Sequence, residues 1–222
     1  MPLTRAQYFE VLSSVEVVPA QEVPMRPASA HRMAEEAPQG FVFSMVASRI
    51  LTFPPDTLPP GLSGDPKRYG GLQLTPESSA LYERTLDAAT ALGARTVVFI
   101  TPPQIGPGRR GKETLGQFFG RVDRRGLRFA WEPHGPWVDD EIAAVCAEQN
   151  LIRCFDPLRD RAGPGDVAYA RLGPFAALGR SLADDELERI VEVLEGYEDA
   201  FCFFATDRAF SDARRMRALV ES

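Results

Sequence analysis

Short apolar runs alternate with helix-patterned segments along almost the whole chain, and no block of strands stands without helical pattern between its members. Strand candidates fall at residues 14–18, 41–46, 96–100, 127–132, 152–155, 167–172 and 201–204. The run Thr96-Val97-Val98-Phe99-Ile100 carries no alternation at all, as expected of a strand covered on both faces. Such an order favours an α/β protein with parallel strands joined by right-handed helical crossovers, for which a (β/α) barrel is the natural frame. Seven candidates are one short of a closed eight-stranded ring, so the barrel is expected to be incomplete or irregular on one side.

The intervening segments carry start and stop signals. Thr4 can cap a short helix running towards Val11, and residues 28–37 are helical in pattern. Thr75-Pro76 is a cap and first-turn pair, followed by Leu81, Tyr82, Leu86, Ala89 and Leu92 at helical spacing until Gly93. Further helices are expected over residues 115–122, after a cap at Asp139, after a cap at Ser181 and from Ser211. Residues 53–75 show no periodicity and form a long Pro/Gly-rich loop, expected at the strands' C-terminal mouth as a functional cover or a disordered insert. Nothing divides residues 1–222 into more than one domain.

A net charge of −6 argues against sequence-independent nucleic-acid binding, which needs lysines and arginines to displace counterions. The local basic groups, Arg121, Arg124, Arg125 and Arg128 and then Arg109, Arg110 and Lys112, read as surface. Three cysteines, Cys146, Cys154 and Cys202, show neither a disulfide framework nor zinc-ligand spacing. With no signal-like start and no run of about 18 apolar residues, a cytoplasmic protein away from the membrane is expected.

The chemistry concentrates where strands end. In Arg128-Phe129-Ala130-Trp131-Glu132-Pro133-His134 an apolar strand runs into a carboxylate, a proline that stops the ladder and an imidazole on the loop beyond. Glu132, Asp156, Arg171 and Asp207 stand at successive strand ends, which a barrel would gather on one rim. Carboxylates facing an arginine in a partly dry mouth suit acid–base work or a small polar ligand, and equally a structural ion-pair network. Glu132, Asp156, Arg171 and His134 are therefore the candidate catalytic residues, with Glu16, Trp137 and Tyr169 as candidate ligand contacts. A single histidine here, without a ligand-spaced partner, suggests no metal site, and no cofactor is expected. Gly106-Pro107-Gly108-Arg109-Arg110-Gly111-Lys112 spells a phosphate-loop pattern, but Glu113 replaces the magnesium-binding hydroxyl and Pro107 removes an amide, so it reads as an ordinary loop. An edge left open beside residues 14–18 or 201–204 would offer a protein partner or a second copy unpaired backbone groups.

Taken in order, Val15-Glu16-Val17, Pro38-Gln39-Gly40-Phe41-Val42-Phe43, Val98-Phe99 with Pro102-Pro103, Trp131-Glu132-Pro133 with Trp137, Asp156-Pro157, Tyr169-Ala170-Arg171-Leu172-Gly173 and Ser211-Asp212-Ala213-Arg214 resemble the YecE-like family, known as domain of unknown function 72. The resemblance covers nearly the whole chain from about Ala6 and implies a TIM-type barrel without an established activity. Family members usually open with a strand and glycine-rich turn that this chain lacks, which would account for the absent eighth strand. Several family polar positions read here as Val46 or Ala47, Thr52-Phe53, Ile100, Ala205 and Thr206. The implied reading is a member depleted of part of its site, binding a small polar ligand or a protein partner; the alternative is an acid–base or hydrolytic enzyme using Glu132, Asp156 and Arg171.

Overall fold

The computed structural model describes residues 4–173, 181–206 and 208–221. Among these, seven strands form one sheet in sequence order: β1 Ser14–Val17, β2 Val42–Val46, β3 Thr96–Thr101, β4 Arg128–Pro133, β5 Ile152–Phe155, β6 Val167–Leu172 and β7 Asp199–Phe204. Every neighbouring pair is parallel. The sheet curls into a nearly closed TIM-type barrel, with a seam where β1 and β7 face each other unpaired. Among the described residues eight α-helices accompany it: α1 Arg5–Val11, α2 Pro27–Glu36, α3 Arg49–Thr52, α4 Pro76–Leu92, α5 Arg109–Phe119, α6 Asp139–Gln149, α7 Asp184–Leu194 and α8 Ala209–Val220.

Strand alternation separates two apolar layers. Val46, Val98, Ala130, Cys154, Tyr169 and Phe203 meet inside the ring. Their chain neighbours, such as Val97, Phe99, Phe129 and Trp131, turn outwards into the layer shared with α4, α5 and α6. Around β6 the outer layer is Ala168, Ala170 and Leu172 against Leu187, Ile190 and Met216. With both faces buried, the strands read as continuous apolar runs.

The caps follow local chemistry. Thr4 Oγ1 accepts the Gln7 N–H at 3.3 Å while the Gln7 side chain accepts the Thr4 N–H at 3.0 Å. Thr75 receives the Ser78 N–H at 3.2 Å, and Gly93, at φ 66°, ends α4 in the left-handed conformation that glycine tolerates.

Several expected boundaries move. α5 begins at Arg109, not at 115, because Gly108 serves as its N-cap and an Arg109–Glu113 pair at 2.7 Å supports the first turn. Val138, not Asp139, caps α6, and α7 begins at Asp184, where the Glu186 carboxylate takes the Ala183 N–H at 2.8 Å. α8 opens at Ala209, and β4 runs on to Pro133. The four-residue α3, too short for periodicity to reveal, follows β2 directly.

Residues 53–75 carry two short 3-10 turns, Pro55–Thr57 and Pro66–Arg68, and otherwise run as loop. Gly71 and Leu72 donate their N–H groups to the Phe53 and Leu51 carbonyls at 3.1 and 2.8 Å, and Tyr69 and Leu72 are buried. A side chain on Gly70 would meet the Phe53 carbonyl at 2.0 Å. The loop thus folds back on the end of α3 and the start of α4. Among the described residues no helix is long and apolar enough to cross a membrane.

Candidate functional site

Parallel pairing sets Glu16 beside Ser44, Glu132 beside Ile100 and Arg171 beside Phe203. All three charged side chains turn into the ring. The Arg171 Nε lies 3.1 and 3.0 Å from the two Glu16 oxygens, its Nη2 donates to Glu16 Oε1 at 2.8 Å, and its Nη1 donates to Glu132 Oε2. Tyr169 adds its hydroxyl to Glu16 Oε2 at 2.8 Å. At the outer end His134 Nε2 meets Glu132 Oε1 at 2.7 Å. Side-chain exposure rises along this chain, from 7% at Glu16 and 11% at Arg171 to 24% at Glu132 and 42% at His134. It therefore connects a dry interior to the solvent.

Burial alone would push the Glu132 carboxyl up. The His134 hydrogen bond and the Arg171 guanidinium outweigh it and hold the group below the usual carboxylate range. An ionised carboxylate carries no proton to give, so Nε2 of His134 is the donor and Nδ1 is left as an acceptor or a second donor. For Arg171, burial works against the charged form, yet Glu16 and Glu132 carry its pKa well above the ordinary value. Tyr169 is pushed up by burial and then by Glu16, so its hydroxyl stays a donor.

The other expected site residues go elsewhere. Asp156 turns onto its own loop, accepting the Leu158 N–H at 3.0 Å and facing Arg159 at 3.8 Å; it does not join Arg171. Burial raises its pKa, partly offset by the Leu158 N–H. Trp137 stands edge-on to Trp131 at 5.1 Å and donates to the Ile105 carbonyl at 3.0 Å, so it belongs to the layer outside the sheet. Asp207 lies outside the described residues. In the phosphate-loop-like stretch Lys112 is paired with Glu141 at 2.7 Å, and a side chain at Gly111 would strike the Gly106 carbonyl at 2.0 Å, so close packing explains that glycine. No group of three or more His, Cys, Asp or Glu side chains able to hold a metal occurs among the described residues.

Ser44 is a member that sequence reasoning missed: buried between Phe43 and Met45 and beside Glu16 in register, it acts on the Tyr169 phenol against the rise that burial imposes. The available signal was a polar residue flanked by apolar ones in a strand covered on both faces.

The fold has counterparts. A DUF72 family protein from Thermotoga maritima superposes with a TM-score of 0.68 at 16% identity, covering 99% of this chain and 91% of that one. A DUF72 family protein from Enterococcus faecalis gives 0.72 at 13% identity, over 97% and 92% of the two chains. Endonuclease IV from Thermus thermophilus shares the barrel more loosely, at 0.58 and 15% identity over 98% and 92%. No curated protein matches the sequence. The model of the family described as protein of unknown function DUF72 matches residues 4–222, and the chain belongs to that family.

Proposed function

We propose that this barrel binds a small polar ligand at its C-terminal mouth, on His134 and Glu132. The carrying observation is the double commitment of Glu132, one oxygen to Arg171 and the other to a half-exposed His134. Arg171 is itself held by Glu16, so the imidazole is presented on a framework that need not reorganise when a ligand arrives. Around it the interior is apolar, with Val46 and Ile100 at positions where the family pattern suggests polar groups. That leaves recognition better equipped than multistep chemistry. A cytoplasmic setting suits the three free thiols, Cys146, Cys154 and Cys202. Screening a panel of small polar compounds by thermal shift should yield saturable stabilisers of the native chain whose effect vanishes in Glu132→Gln; stabilisers indifferent to that substitution would refute the assignment.

One feature favours a second reading, acid–base catalysis. An imidazole oriented by a buried carboxylate is the arrangement of a general base, and the 2.7 Å contact supplies it. Hydrolysis of an activated ester or glycoside that disappears in both His134→Ala and Glu132→Gln would support this reading, and an activity surviving both would exclude it.

A further inference from the structure

Arg171 stands at the centre of the buried charge chain, and the geometry divides it between two carboxylates. Its Nε and Nη2 face Glu16 at 2.8 to 3.1 Å, while Nη1 donates to Glu132 Oε2. Glu132 is divided in turn, because its other oxygen holds His134 Nε2 at 2.7 Å. A guanidinium released from Glu16 would be free to take both Glu132 oxygens side by side, the forked pairing that arginine prefers with a carboxylate. Less of Glu132 would then remain for His134. The hold of Glu16 on Arg171 thus decides how fully Glu132 serves the imidazole.

Glu16 is placed to exert that control from a distance. It is buried while His134 is half-exposed, and with Arg171 it lines the cavity of about 700 Å³ at the seam, whereas Glu132 and His134 do not. Its carboxylate is fixed independently of Arg171, since the Tyr169 hydroxyl donates to Oε2 at 2.8 Å. From β5 the chain is faced by the Cys154 thiol, which burial keeps protonated. Among the described residues the charges in play are therefore those of Glu16 on β1, Glu132 on β4 and Arg171 on β6, joined by His134 when it takes a proton.

We propose that Glu16 is a positioning residue for the mouth: by holding Arg171 it keeps one oxygen of Glu132 for His134, and so sets the orientation and proton affinity of an imidazole two links away. The inference rests on the reading of the mouth as the functional end of the barrel. The coupling itself is measured on the ligand-free chain, so failure to find a ligand and failure of the coupling are separate results.

The test follows the His134 ring nitrogens by NMR against pH in the full chain. In Glu16→Gln the titration midpoint of His134 should fall by about half a pH unit or more, roughly threefold in proton affinity, because Arg171 brings its undivided charge to Glu132. Glu16→Asp keeps the charge but draws it back from the guanidinium, so its midpoint should fall between those of the native chain and Glu16→Gln. That variant carries the test alone if Glu16→Gln does not fold. Tyr8→Phe loosens β1 at the Ser14 carbonyl without altering any charge, and should leave His134 unmoved. The proposal is overturned if folded Glu16→Gln titrates at the native midpoint. It is overturned equally if Glu16→Asp does so, which would leave a charge effect without positioning, or if Tyr8→Phe shifts His134 as far as Glu16→Gln.

Discussion

Glu16 and Arg171, separated by 155 positions in the sequence, meet inside the barrel in a paired contact, with Nε and Nη2 of the arginine both on the one carboxylate. The contact joins the first strand to the sixth directly, on the side where the ring leaves its seam. A buried charge is tolerated when it is paired and hydrogen-bonded, and each of these residues satisfies that condition for the other.

Removing Arg171 should therefore cost more than removing either carboxylate. Arg171→Met leaves the buried Glu16 carboxylate with the Tyr169 hydroxyl alone and takes from Glu132 one of its two partners, a loss of about 3–5 kcal/mol. The Glu16→Gln/Arg171→Met double variant should be more stable than Arg171→Met alone, because the stranded charge is gone. Denaturant midpoints of the single and double variants measure the coupling, and simple additivity would refute it.

Tyr8→Phe should weaken the closure of the seam without disturbing the core. It deletes only the hydroxyl that reaches the Ser14 carbonyl, worth about 0.5–1.5 kcal/mol. Hydrogen exchange should quicken at β1 and α1 while the amides of β3 and β4 keep their protection.

Gly111→Ala should destabilise by about 1–3 kcal/mol or more, since the new methyl would collide with the Gly106 backbone. Inorganic phosphate should not stabilise the native chain, because Lys112 is already paired with Glu141 and Glu113 occupies the helix start. A variant as stable as the native chain would remove the packing explanation for this glycine.

Glu132 and Asp156 predict opposite pH responses. Glu132 has a depressed folded pKa, so its contribution is present above the unfolded value and is lost as pH falls through the folded one. Asp156 has a raised folded pKa, so its contribution is full below the unfolded value and declines as pH rises through the folded one. Asp156→Asn should accordingly raise the melting temperature at pH 7, by up to about 2–4 °C, and have little effect in acid below the carboxylate range. Equal effects at both pH values would contradict the burial argument.

Much of this architecture is legible in the sequence because parallel strands buried on both faces leave unbroken apolar runs, and the helices between them carry caps and glycine stops. The meeting of Glu132, His134 and Arg171 is legible too, since parallel strands bring the ends of separate apolar runs to one rim. Asp156 and Trp137 stand apart from the Arg171 chain for one shared reason: position at a strand end does not fix which way the side chain turns. Local bonds to Leu158 and Ile105 decided the matter, and neither leaves a mark in spacing. Ser44 leaves no clear signal because one hydroxyl within an apolar strand looks like tolerated polarity until its register beside Glu16 is known. The start of α5 was hidden by Gly106, Gly108 and Gly111, whose density suggests a loop where two serve a cap and a close approach.

The most direct test of the proposed mouth follows the His134 ring nitrogens by NMR while small polar compounds are titrated in. Only His31 shares that spectral region, and it sits exposed beside Glu35, so it serves as an internal reference. A ligand of the mouth should shift the His134 signals saturably, leave His31 unmoved and lose its effect in Glu132→Gln. Saturable binders that leave His134 unperturbed, or that perturb it equally in Glu132→Gln, would contradict the account.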